Sequence, residues 1–272
     1  MNPAAYEEEQ LRAIAEWKEE KPSAVRTTLG FVLFPLSVFI QSVVPRATIR
    51  RAIEGASAAA EWLTDEGDVR RKGGVSEIDE LRTKDLRLSD KLANEIHNWA
   101  VGLAAAEGVG SGFGGILGLA LDIPFIITFA LRTIHKIGLC YGYQAKDEKG
   151  RHFVLALLSV AGANTAGEKA EAIKILRAID LMVAKRTLKT VAEKAVLRQL
   201  SKEAALISME KLSGQMGINL TERKVLQAIP AIGATVGGSV NGWFLNDVSW
   251  AARRAFQERW LIENKKMAID TQ

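Results

Sequence analysis

The chain has 272 residues, with 36 Lys and Arg against 32 Asp and Glu, a formal charge of +4. That length allows one large domain or two small ones, and so small a positive excess demands no anionic partner. At 48% hydrophobic residues and mean hydropathy +0.03, the sequence is apolar for a freely soluble helical protein and polar for a multi-pass membrane protein. Its single cysteine, Cys140, excludes an internal disulfide and fits a reducing compartment.

Residues 1–20 are acidic and lack a basic segment ahead of an apolar one, so no secretory signal is expected and cytoplasmic residence follows. The spacing over 6–21 predicts an amphipathic helix with Leu11, Ile14 and Ala15 on one side and Pro22 as its stop. Residues 27–45 are uncharged and carry Phe31, Phe34 and Phe39, while Pro35 and Gln41 interrupt them. They read as an apolar hairpin, in the core or at a membrane interface, in preference to a clean span. Arg46, Arg50 and Arg51 follow on a helix whose other face is Ile49, Ile53, Ala56, Ala60 and Leu63. Basic residues beside an apolar run suit an anionic membrane surface, and a solvated helix face is the plainer reading.

Residues 64–90 mix both charge signs around Gly67, Gly73 and Gly74 and read as a polar connection. This divides the chain into an N-terminal arm with its hairpin, 1–63, the connection, 64–90, and a helical core, 91–272. A helix from Ser89 places Leu92, Ile96, Trp99 and Leu103 on one face and runs into Gly108, Gly110, Gly112, Gly114, Gly115 and Gly118. Gly110, Gly114 and Gly118 stand four apart and lead to Asp122, a smooth stripe that a close neighbouring helix would fit. Asp122-Ile123-Pro124 reads as a break that Asp122 caps, followed by a helix carrying Phe125, Phe129, Thr133, Ile137 and Tyr141 and stopped by Gly142. Residues 153–161, 168–190 and 191–212 continue in helical period, and no alternating strand pattern occurs. The expected class is therefore all-α, a compact multi-helix bundle with glycine-lined central helices.

Gly233, Gly237 and Asn241 repeat the spacing of Gly114, Gly118 and Asp122, and a long terminal helix follows in both cases. An internal duplication and chance glycine enrichment both account for this. If the two stripes pack on each other within one chain, the protein is a monomer, and Asp122 and Asn241 meet near a central break. Helix N-termini converging there could hold a lipid phosphate or carboxylate, with His135, Arg132 and Tyr141 on the following helix as neighbours; local capping is the plainer role.

Chemistry-bearing motifs fail on context. Gly110-Ser111-Gly112-Phe113-Gly114-Gly115 satisfies the dinucleotide pattern, yet a helix-forming run precedes it where a strand is required. His97, His135 and His152 have no metal-ligand spacing, and no nucleophile elbow is present, so no cofactor or metal is expected. The basic region 169–202 has no aromatic residue between Phe153 and Trp243 to stack on bases, which argues against nucleic acid.

Taken together, Glu107-Gly108, the glycine run, Asp122-Ile123-Pro124, Ala130 to Ile134, Tyr141-Gly142-Tyr143, Ile229-Pro230, Gly237-Gly238 with Asn241, and the terminal helix with Arg253, Arg254 and Arg259 resemble the EcsC family of bacterial proteins. The family pattern has an aspartate after Tyr-Gly-Tyr, where this chain has Gln144. The resemblance implies a helical, membrane-associated protein with a link to ABC transport and secretion, and brings no catalytic residues. The expected function is non-enzymatic binding to membrane lipid or a membrane protein at the cytoplasmic face. The alternative is an enzyme or binding protein for an apolar molecule, built around Asp122.

Overall fold

The computed structural model describes residues 2–22, 46–63, 65–111, 115–184, 209–227, 240–264 and 266. Among them there are only helices: α1 (Pro3–Glu19), α2 (Arg46–Leu63), α3 (Glu66–Gly73), a 3-10 helix (Ile78–Thr83), α4 (Leu86–Ser111), α5 (Gly115–Cys140), α6 (Glu148–Gly162), α7 (Ala166–Ala184), α8 (Met209–Gln227) and α9 (Val240–Glu263). The all-α class holds. Phe31, Phe34, Phe39, Gly114, Gly233 and Gly237 lie outside the described residues; Gly110 and Gly118 fall in α4 and α5.

α5 and α9 form the centre. α9 packs against α4, α5 and α6, while α5 also packs against α2 and α4. Phe256 of α9 is the hub of an aromatic knot, with ring centroids 6.3 Å from Tyr141, 5.7 Å from Tyr143 and 5.1 Å from Phe153. Residues 66–83 add Val69, Ile78 and Leu81 to the same hydrophobic cluster that holds Ile53 of α2 and Ile134 of α5.

The break expected at Asp122-Ile123-Pro124 is not there, for Pro124 lies inside the continuous helix α5. Proline in a helix interior costs about 3 kcal/mol. Ile123, Ile126 and Ile127, all buried, each offset roughly 1.5–3 kcal/mol by leaving water, so burial wins. Within the glycine run, the described part of α4 ends at Ser111 and that of α5 begins at Gly115.

α5 stops where the sequence predicts. Tyr143 N–H donates to Gly138 O at 2.9 Å and Gly142 N–H to Leu139 O at 3.0 Å, the paired bonds of a Schellman cap. Gly142 supplies the left-handed residue, φ +85°, that this cap requires.

Candidate functional site

Of the sequence-predicted site, Asp122 departs from the capping role expected of it. Asp122 is in the interior of α5, not ahead of a helix, so it caps no helix N-terminus; its side chain lies outside the described residues. Asn241 is buried in the first turn of α9. His135, on α5, is buried and lines a hollow of about 10 Å³ with Tyr143, Phe153 and Phe256, too small for a substrate. Burial alone pushes its imidazole down to about 4, which leaves it neutral. Arg132 has a buried Nε without a hydrogen-bond partner. Arg46, Arg50 and Arg51 are exposed on α2, opposite the fully buried Ile49 and Ile53, and Arg50 pairs with Glu54 at 2.7 Å.

Tyr141 belongs to a different centre, which the sequence reading missed. Its hydroxyl donates to Oδ1 of buried Asp90 at 2.5 Å, Gln257 Nε2 donates to the same oxygen at 2.6 Å, and the Tyr6 hydroxyl donates to Oδ2 at 2.6 Å. Burial, together with the nearby Asp90, raises both phenol pKa values, so both remain donors. One carboxylate thereby joins α1, α4, the end of α5 and α9. Beside it Arg253 donates to Asn94 Oδ1 at 2.9 Å and approaches His97 Nδ1 at 3.3 Å, while His97 Nε2 meets Asn246 Oδ1 at 2.9 Å.

Beyond this network lies an open cleft of about 710 Å³ walled by α1, the end of α6, the start of α7 and α9. Trp243, Asp247, Trp250 and Arg254 line it from α9, a stripe with spacings of four, three and four. Trp17 faces them from α1. Arg223, fully buried, pairs with Asp247 at 3.2 Å and lies 5.3 Å from the Trp243 ring centroid. Lys169 closes one end, its ammonium donating to Trp17 O at 2.5 Å and Glu20 O at 2.7 Å. A heptad-spaced Trp243 and Trp250 was the legible hint of this surface.

A third feature faces solvent. Trp99 and Leu103 of α4 and Phe125 of α5 are 49%, 37% and 46% exposed. Both Trp99 and Phe125 flank Phe129, with centroids at 5.7 and 6.3 Å, so these three rings form one patch, and Leu103 stands one helical turn along α4 from Trp99. Phe125 thus departs from the otherwise buried series Phe129, Thr133, Ile137 and Tyr141.

A family model described as the EcsC protein family matches residues 8–261 of this chain. The chain belongs to the EcsC family. Protein EcsC of Bacillus subtilis (strain 168) is 25% identical over 224 residues, covering 82% of this chain and 80% of that protein. Uncharacterized protein YdbA of the same strain is 26% identical over 189 residues, 70% of this chain but only 64% of YdbA. No solved structure matches. The region shared with the EcsC family takes in every residue lining the tryptophan cleft and, of the Asp90 network, all but Tyr6.

Proposed function

We propose that this EcsC-family protein is a non-enzymatic, membrane-associated protein that docks on the anionic cytoplasmic face of a membrane through its α4–α5 hairpin. The observation that carries the reading is the exposed Trp99, Leu103 and Phe125, contiguous on the two arms of that hairpin. Residues 108–121, which join the arms, carry no charge. An aromatic patch on two helices flanking an uncharged stretch of sequence suits the interface, where Trp rings favour the headgroup level. Lys136 lies 6.0 Å from the Trp99 ring centroid, a cation placed for lipid phosphate. Exposed Arg46, Arg50 and Arg51 on α2, which packs on α5, add further positive charge.

A full span fits less well. Residues 123–140 are long and apolar enough to cross a bilayer, with mean hydropathy 1.4, but 72% of that stretch is buried within the fold. Contact through the exposed Trp99, Leu103 and Phe125 leaves this core intact. The protein acts as a monomer in this reading, and a membrane partner, including the ABC transporter implied by the family resemblance, would meet the same face.

Flotation with anionic vesicles at low salt tests the proposal. The wild type should float and the Trp99→Ser/Phe125→Ser variant should stay at the bottom of the gradient with its circular dichroism unchanged. Wild-type protein that remains with the soluble fraction would refute it.

A further inference from the structure

Two cations beside the aromatic patch have no acceptor among the described residues. Arg132 and Lys136 stand one turn apart on α5, and with Phe125 and Phe129 they follow spacings of four, three and four, which puts all four on one helix face. Trp99 confirms that placement from the neighbouring helix. Its ring centroid is 5.7 Å from that of Phe129 and 6.0 Å from the Lys136 ammonium, so it meets the residues on both sides of Arg132. Arg132 and Lys136 are both part-exposed there.

The Arg132 side chain makes no hydrogen bond or ion pair with the described residues, and its Nε is buried without a partner. Lys136 has the Trp99 ring and no acceptor. Meanwhile the acids described on α2, α3 and α4, which pack on α5, are all engaged. Glu54 pairs with Arg50 at 2.7 Å, Asp68 with Arg71 at 2.6 Å and Glu95 with Lys72 at 2.9 Å, while Glu66 accepts from Gln144 at 3.0 Å and Asp90 holds its own network. None is left as counter-charge for the pair. A guanidinium partly out of water and without an acceptor is unfavourable in the fold, and an anion from outside supplies what is missing.

Resting on the membrane reading above, we infer that Arg132 and Lys136 form a head-group site for one anionic phospholipid. Both donate to its phosphate, while its glycerol and upper acyl chain lie over Phe125 and Trp99. Phosphate suits the pair because its oxygens match the guanidinium fork and its charge is shared with the ammonium one turn away. The exposed rings beside the pair favour a lipid over free phosphate, which has nothing to lay on them. A choline head group would bring a third cation against the two, so an anionic lipid is preferred.

Titration of the full chain with vesicles of phosphatidylglycerol and phosphatidylcholine in equal parts is the direct measurement. Arg132→Gln and Lys136→Gln should each weaken binding by about tenfold at low salt. Most of that loss should persist at high salt, because a site partly out of water is screened less than the exposed arginines of α2. Lys174→Gln/Arg177→Gln removes the same charge from the exposed face of α7 and should bind as the wild type does. Urea unfolding should move little in Arg132→Gln or Lys136→Gln, since neither side chain hydrogen-bonds within the described fold. Undiminished binding by Arg132→Gln/Lys136→Gln would overturn the site and leave the membrane reading standing, whereas a wild type that never binds would remove both. A loss that closes as salt rises would reduce the pair to general surface charge and overturn it too. Inorganic phosphate, followed by calorimetry without vesicles, should give no saturable heat. If it binds the wild type and not Arg132→Gln, the ligand is free phosphate and the lipid assignment falls.

Discussion

Tyr141 hands its phenolic hydrogen to Asp90 from 51 residues away, inside the core and at 2.5 Å. Tyr141→Phe removes one donor from a buried carboxylate that keeps Gln257 and Tyr6. The expected loss is roughly 1.5–3 kcal/mol in urea unfolding. Tyr6→Phe should cost less, because Tyr6 is only half-buried and water can take its place. Equal losses for the two would contradict the network as described.

Two glycines should respond to alanine with opposite signs. Gly102, exposed in α4, has open space where a Cβ would go, so Gly102→Ala should stabilise by about 0.5–1 kcal/mol through helix propensity. Gly142 has φ +85°, and a Cβ there would come within 2.8 Å of the Arg82 backbone nitrogen. Gly142→Ala should destabilise by more than about 1 kcal/mol and shorten the thermal transition accordingly. Scanning calorimetry of the pair checks both signs together.

Acid response sets two buried groups against each other. Folded His135 takes a proton only near pH 4, against 6.5 for an ordinary imidazole, so acidification between those values favours the unfolded chain by at most about 3 kcal/mol. Burial pushes the Asp180 carboxyl up to about 7 from 3.8, and its Oδ1 has no hydrogen-bond partner, so the same acidification favours the folded state through Asp180. Asp180→Asn should therefore lose stability more steeply than the wild type as pH falls from about 6.5 to 4.5, and His135→Gln less steeply. Denaturant midpoints across that range read the two slopes; parallel curves would rule out the opposition.

Docking on anionic vesicles should carry a salt dependence set by α2. Each basic residue close to such a surface contributes about 1 kcal/mol, so replacing Arg46, Arg50 and Arg51 together by Gln should weaken vesicle binding by about two orders of magnitude at low salt. The substitution should leave unfolding nearly unchanged, because all three side chains are exposed. Vesicle titrations at several ionic strengths would show the difference closing as salt rises.

The helical class and the Gly142 stop were legible because period and turn chemistry are local properties. The proline at 124 misled for the same reason: its cost is local, whereas the burial of Ile123, Ile126 and Ile127 that outweighs it comes from packing against other helices. Asp90 gave no sign as a junction, since its three partners lie 51, 84 and 167 residues away. One signal was present but unread. Asp90 and His97 fall in register with Ala93, Ala100 and Ala104 on the buried face of α4, and a polar side chain at such a position requires a partner. The cleft was hidden by distance along the chain, with Trp17 near one end and Trp243 and Trp250 near the other.

The Asp90 junction also bears on synthesis. Tyr6 leaves the ribosome first of its partners and Gln257 last, so the carboxylate and the apolar faces around it stay unsatisfied until α9 has emerged. α4 must wait for α9, its principal packing partner, and α5 lacks one of its neighbours until then. Closure of the core thus waits on α9, and chains truncated before α9 present chaperones and proteases with an open apolar seam.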